Sequence, residues 1–270
     1  MPDTESRSPR VSFPWLTERP ADARTHLTRD QIVEAAIRLA DTEGLEALSM
    51  RRLGQVLDAG ATSLYWHVRN KDELLDLVVD RIIGEVRDEM RSTGSWRADL
   101  EETARSIRRV LVRHRHIAPV IGSRPTFGPH AVAALEWLIG RLRSAGTDVR
   151  TALLASQSVI NYAAGFAVFE CRDPLGIDSS EDDRRAFMEQ LGRFVGTLPA
   201  DQYPNTLETL EVGASITPDE QFEYGLRQVL NGIEADVTNV RTRGRGGRAA
   251  PAPTRRPHRR GPQTGPALRR

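Results

Sequence analysis

The stretch that decides the fold is SMRRLGQVLDAGATSLYWHVRNK, Ser49 to Lys71. Ser49 is an N-cap residue, and Met50, Leu53, Val56 and Leu57 follow at helical spacing, which predicts a short helix over 49–57. Asp58-Ala59-Gly60 stops it in a tight turn. A second short helix is predicted over 62–68, anchored inward by Leu64 and Val68, four residues apart. Two short helices joined by a tight, glycine-bearing turn cross steeply, so the second can enter a DNA major groove while the first braces on the backbone. Thr62, Ser63, Tyr65 and His67 place hydrogen-bonding groups on the second helix. Arg51, Arg52, Arg69 and Lys71 flank it with positive charge suited to phosphates. Trp66 is read as core packing, and His67 has an equal reading as a surface imidazole with no DNA role. Short helix pairs of this kind occur in many helical proteins, so the pattern alone does not assign DNA binding.

Reading outward, Thr28 and Gln31 form a capping box ahead of Ile32, Ala35, Ala36, Leu39 and Ala40, and Gly44 sits where a helix should end. Asn70 and Glu73 form a second box, followed by Leu74, Leu75, Leu77, Val78, Ile82, Ile83 and Val86. Further helices are predicted near 96–115, 129–144, 149–170, 181–196 and 218–239, with breaks at Gly94, Pro119 to Pro125, Gly146, Asp173-Pro174 and Leu198 to Pro204. No alternating strand and no repeat of solenoid period is found. The fold class is all-α: an N-terminal three-helix helix-turn-helix domain plus a helical ligand-binding and dimerisation domain. The division is a disordered arm over 1–26, the DNA-binding domain over 27–73, the ligand-binding and dimerisation domain over 74–240, and a disordered Arg/Pro/Gly-rich tail over 241–270.

Composition narrows the function classes. The formal net charge of +1 conceals an asymmetry: residues 241–270 carry ten arginines and no acid, which leaves 28 basic against 37 acidic side chains in 1–240. Lys71 is the sole lysine, a bias that a GC-rich genome explains without a functional demand. The tail is read either as a polycation adding salt-sensitive, sequence-independent DNA affinity or as inert solvated chain. One cysteine, Cys171, excludes an intrachain disulfide framework. No uninterrupted apolar run is long enough for a membrane span and the first residues lack a secretory signal, so a cytoplasmic, nucleoid-associated protein is expected. His114 and His116 would point about 200° apart on a helix, a poor metal pair. Asp182-Asp183 reads as a helix-start charge pair. No catalytic motif is present, so neither an enzyme nor a cofactor nor a bound metal is expected.

The segment Thr28 to Leu77, above all Ser63 to Lys71 followed by Leu74-Leu75-Asp76, resembles the DNA-binding domain of TetR-family transcriptional regulators, in the branch close to the tetracycline repressor. Arg113-His114-Arg115 to Gly122-Ser123-Arg124-Pro125, and Phe222 to Ile233 with Gly225-Leu226 and Gly232, are similar to that branch's ligand domain. The resemblance covers most of 28–239 and neither tail. It implies a homodimeric, ligand-responsive repressor released from a palindromic operator by a small molecule. By position, Arg51 would contact a base or phosphate, Ala61, Thr62 and Ser63 would face bases, and Tyr65, His67 and Lys71 would hold phosphates. Gly60 and Ala61 stand where longer polar side chains are usual, which implies a different operator.

On the ligand side the resemblance departs. The positions matching the histidine and glutamate that hold magnesium–tetracycline are Val120 and Phe169, neither of which can bind a hard cation. Glu170 is adjacent, but one residue rotates a helical side chain by about 100°. Arg87, Thr103, Ile107, Glu136 and Asn161 also replace the side chains that serve tetracycline, while Ser123 and Arg124 remain. The expected effector is therefore not magnesium–tetracycline but a flat, partly apolar molecule. Its expected pocket uses Trp96, Ile107, Val120, Trp137, Phe166 and Phe169, with Arg87, Arg124 and Glu136 as polar contacts; each aromatic has an equally simple reading as core. Dimerisation is expected through 149–170 and 218–239, with Ala155, Ser158, Ala163 and Gly165 allowing close approach. The expected partners are thus a double-stranded operator, a small effector and a second copy, with no membrane. Two alternatives stay open: a nonspecific DNA-binding protein relying on its tail, and an activator.

Overall fold

Thr28 opens the first helix, α1 (Arg29–Glu43), by accepting the Gln31 N–H at 3.2 Å while its own N–H reaches Gln31 Oε1 at 2.8 Å. That reciprocal bonding satisfies two of the donors a helix start leaves open. Gly44 ends α1 at φ +84°, a conformation that a side chain would strain. Ser49 caps α2 (Met50–Val56) on the Arg52 N–H, and α3 (Ala61–His67) follows. Leu53, Leu64 and Val68 are fully buried, so these helices hang on the core of α1 and α4 by their apolar anchors. The turn takes its left-handed residue from Asp58 at φ +49° and not from Gly60; aspartate is among the few side chains that tolerate this region.

The structure, a computed structural model, describes residues 14–16, 27–124, 127–171, 180–213 and 215–246. The rest of the arm expected over 1–26, and 247–270 of the expected tail, lie outside the described residues. Pro14–Leu16 form a 3-10 turn whose Trp15 packs against the core, so part of the expected arm is docked. There is no strand among the described residues.

Asn70 caps α4 (Lys71–Glu89) on the Glu73 N–H at 2.8 Å, and the Glu73 carboxylate reaches back to the Arg69 N–H at 3.0 Å. α4 packs against α1 at the DNA-binding end, and against α5 (Trp96–Arg113) and α7 (Pro129–Ser144) beyond it. One continuous helix thus spans the boundary between the two domains. Between α5 and α7 lies α6 (Ala118–Ile121), a single turn inside what reads as a proline break. Pro119 stands in its first turn, where a missing N–H costs nothing.

α8 (Val149–Glu170) is the central helix, packed on α5, α7 and α11 (Pro218–Gly246). By length and composition α8 could cross a membrane, but its apolarity serves two protein faces. Ala152, Ala155, Val159, Ala163 and Ala167 are buried, and their small size lets α5 approach. Ala155 and Ala163 are therefore inside the subunit and not on its outer face as expected; Ser158 and Gly165 are on the outer face. α11 buries Phe222, Leu226, Leu230, Ile233 and Val237, each large side chain contributing about 1.5–3 kcal/mol by leaving water. It also continues to Gly246, into the segment expected as tail. α9 (Glu181–Gly196) is capped by Ser180 and Asp183, the latter from the expected charge pair. α10 (Pro204–Gly213) starts at a proline that reads as a break.

Candidate nucleic-acid interface and ligand cavity

The outward face of α3 carries Thr62, Tyr65 and Trp66, all exposed, with Ser63 and His67 half-buried. Trp66 is the surprise: it is 66% exposed, more than Tyr65 at 51%. Leu64 within the helix and Val68 at its C-cap point inward and are fully buried, while the indole stays outside. Ala61 begins α3, but its side chain lies outside the described residues. Arg51 at the start of α2 and Lys71 at the start of α4 flank this face, both exposed. The other two expected flanking cations are engaged within the subunit, Arg52 with Glu43 at 3.1 Å from Nε and Arg69 with Glu73 at 2.9 Å. The Arg52 bond holds the Glu43 carboxyl below its ordinary value. His67 Nε2 is buried without a hydrogen-bond partner. Two aromatic side chains with polar tips, a hydroxyl and two flanking cations on one rigid turn are the chemistry of phosphate and base-edge contact.

A cavity of about 620 Å³ lies beside α4, enclosed by α5, α7 and α8, with Ile121 and Gly122 of the α6 turn at its edge. Its wall is hydrocarbon: Ile83 and Val86 from α4, Ile107 and Leu111 from α5, Leu135 and Leu138 from α7. From α8 come Ile160 and Val168, two amides, Gln157 and Asn161, and Phe169, which is 70% exposed at the rim. No charged side chain lines it among the described residues.

Of the residues expected at the ligand, the structure brings Ile107, Asn161 and Phe169 together on this wall. The others sit elsewhere. Thr103 is buried on α5 with its hydroxyl donating to the Asp99 carbonyl at 2.8 Å. Val120 is buried in α6, and the Ser123 hydroxyl donates to its carbonyl at 2.9 Å. Glu136 is exposed on α7, while Trp137 lies under the Arg141 guanidinium. Phe166 belongs to an aromatic cluster with Tyr162 and Phe222. Trp96 packs against the core at the start of α5. Arg87 is half-buried on α4, outside the lining. Gln157 escaped the sequence reading; the visible signal was two amides four residues apart on an otherwise apolar helix.

The cavity adjoins a set of polar ties converging on α4. Arg124, just beyond the α6 turn, donates to Asp76 Oδ1 at 2.6 Å and to the Asp72 carboxylate and carbonyl in the first turn of α4. Burial alone would lower its pKa, but Asp76 and Asp72 outweigh that and raise it. Asp80, nearly fully buried, accepts the N–H groups of His130 and Ala131 at 3.3 and 3.1 Å and so caps α7 from α4. A side chain at Gly128 would overlap this carboxylate, its Cβ falling 2.1 Å from Asp80. At the end of α5, buried His114 faces Asp41 of α1 at 2.8 Å through Nδ1 and Glu85 of α4 at 3.2 Å through Nε2. His114 is thus a tie between domains. On the far side, Arg108 grips Glu170 with two bonds of 2.7 Å and lies over the Phe166 and Phe222 rings, fastening α5 to α8 and α11. No group of three potential metal ligands occurs among the described residues. At the magnesium-matching positions, Val120 and Phe169 supply only hydrocarbon.

Two protein-family models match the chain: "Bacterial regulatory proteins, tetR family" over residues 32–78, and "Tetracyclin repressor-like, C-terminal domain" over 90–237. An HTH-type transcriptional regulator of Saccharopolyspora erythraea is 39% identical over 189 residues, covering 68% of this chain and 80% of the relative. The HTH-type transcriptional repressor DrrR1 of Streptomyces coeruleorubidus is 34% identical over 223 residues, 80% of each chain. Among solved structures, ActR of Streptomyces coelicolor in complex with actinorhodin superposes with a TM-score of 0.68 at 35% identity, covering 79% of this chain and 99% of that one.

Proposed function

The chain belongs to the TetR family of bacterial regulatory proteins, and from that premise we propose how it works as a ligand-responsive DNA-binding repressor. Two copies pair through the outward faces of α8 and α11, where Leu154, Phe169 and Tyr224 are exposed in the single subunit. Exposed apolar side chains on α9, Met188 and Phe194 among them, favour the same assembly, because isolated subunits seldom leave such patches in water. The two α3 helices then enter successive major grooves of a palindromic operator about 34–36 Å apart. Thr62 and Ser63 face bases; Tyr65, Trp66 and Lys71 hold the backbone, and Arg51 supports them from α2.

The effector occupies the cavity beside α4. Its relatives are transcriptional regulators and one of them holds a small molecule, actinorhodin, which favours regulation by ligand in the cytoplasm over catalysis. Val120 and Phe169 argue against magnesium–tetracycline as the signal. Occupancy shifts α4, and with it α3, out of register with the grooves. By linkage, operator DNA weakens effector binding by the same factor. The observation that carries this reading is that α4 walls the cavity and directly follows the DNA-reading helix.

The test is a footprint on DNA upstream of the gene at about 150 mM salt, a concentration at which contacts resting on phosphates alone are weakened. The full chain is compared with a chain ending at Gly246. A short symmetric site protected by both supports the reading. Diffuse protection that vanishes with residues 247–270 would replace it with nonspecific binding by the tail.

A further inference from the structure

We infer that the effector is uncharged and is held by hydrogen bonds to Gln157 and Asn161; this deepens the reading above and rests on it, since it takes the cavity as the effector site. Among the described residues the wall offers no cation to an acid and no carboxylate to a base. An ion brought there gives up hydration for two neutral amides and meets no opposite charge, a penalty that a neutral molecule does not face. The two basic side chains on these helices with a buried, unpartnered nitrogen among the described residues, Arg87 and Arg141, are not part of the wall.

The amides give the apolar cavity its orientation. Gln157 and Asn161, both exposed, stand one helical turn apart on α8, so they project from the same face with Cβ atoms about 5–6 Å apart. Each offers both a donor and an acceptor. They match a molecule carrying a carbonyl and a hydroxyl along one edge, with the remainder hydrocarbon. At about 620 Å³ the space suits a drug-sized occupant. Hydrocarbon supplies the affinity, and two amides read the polar edge.

The probes are 1,8-dihydroxyanthraquinone and its 3-carboxylate, a pair differing by one charge, titrated into the full-length protein without DNA at about pH 6.5, where the carboxylate is ionised. The neutral probe should bind at least tenfold more tightly. Gln157→Leu and Asn161→Leu should each weaken it by roughly threefold to tenfold, the value of a hydrogen bond, and Gln157→Arg should raise affinity for the carboxylate at least tenfold. Binding of neither probe, equal or better binding of the carboxylate by the unaltered protein, or no change in Gln157→Leu and Asn161→Leu overturns the assignment. The charge comparison uses the unaltered protein and does not depend on how a variant folds. Operator affinity is measured separately: tight neutral-probe binding that leaves the protein on its operator supports this assignment while counting against the release mechanism.

Discussion

Arg124 Nη1 lies 2.6 Å from Asp76 Oδ1, joining the segment that edges the ligand cavity to the helix that follows the DNA reader. Ile121 and Gly122 touch the cavity, and Arg124 comes two residues later. Asp76 is mostly buried, so the pair is shielded from the screening that weakens exposed ion pairs. In the proposed mechanism, a ligand that displaces the α6 turn would pull on the start of α4 through this pair. The proposed physical basis of this coupling is the set of charge-assisted bonds from Arg124 to Asp76 and Asp72.

Arg124→Ala should leave Asp76 without its counter-ion and lower stability by about 1–3 kcal/mol. It should also shrink the ratio of operator affinities without and with effector, while the unliganded affinity stays close to that of the parent. Asp72→Asn should do much less, because Asp72 is 81% exposed. Operator titrations with and without the anthraquinone probe measure the ratio. An unchanged ratio in Arg124→Ala would remove Arg124 from the coupling route.

On the proposed interface, α3 and its flanks make two kinds of contact that substitution can separate. Lys71→Ala should weaken binding to any DNA and reduce the slope of log affinity against log salt by about one. Thr62→Ala should instead relax discrimination at one base position, at a cost of about 1–3 kcal/mol on the operator. Trp66→Ala should weaken operator binding with little loss of stability, since its ring lies outside the core. A melting point that falls by many degrees in Trp66→Ala would return the indole to a packing role.

Much of this was legible in the residues themselves. Thr28 and Gln31 are three apart, and the capping box they announce is formed. Leu64 and Val68 sit four apart and are both buried, because a short helix needs an apolar stripe and has no other candidate. What could not be read was which face of a residue meets a neighbour. Trp66 is large and apolar, so burial was the natural expectation, yet its side of α3 faces outward and the ring is 66% exposed. Ala155 and Ala163 read as small residues for an approaching second copy, whereas α5 of the same subunit takes that space. Of the residues expected at a pocket by position, Phe166 lies under Arg108, which is distant along the chain, and Trp137 under Arg141, one turn further along the same helix. Cavity walls assembled from four helices leave no local pattern beyond Gln157 and Asn161.

Gly225 of α11 is a steric requirement. A Cβ there would lie 2.3 Å from the Tyr162 hydroxyl, which donates to the Phe222 carbonyl at 2.8 Å. Gly225→Ala must either displace the ring or lift α11 from α8, at about 1–3 kcal/mol. Thermal melts should show this loss, and Tyr162→Leu in the same chain should recover part of it. Equal melting points for Gly225→Ala and the parent would mean that α11 does not sit this close.

Glu223 of α11 accepts two bonds from Arg105 of α5, at 2.8 and 2.9 Å. The Arg105 hydrogen bond holds its pKa below the ordinary glutamate value, against a smaller opposing effect of burial. At Glu89, burial pushes upward, but bonds from Ser106 and Arg109 prevail and the pKa is again lowered. A carboxyl whose folded pKa is depressed binds fewer protons folded than unfolded. Its stabilisation is complete above the unfolded value, about 4.3, and is lost as pH falls through the folded value. The Arg105–Glu223 pair is over a third exposed, so solvent screening keeps its worth to at most about 1 kcal/mol. Glu223→Gln should therefore be modestly less stable than the parent near neutrality. The two stability curves should converge below about pH 4, where the parent's carboxyl is protonated and resembles the amide. Denaturant titrations at a series of pH values follow both chains. Parallel curves through the acid range would show that Arg105 draws nothing from the charge on Glu223.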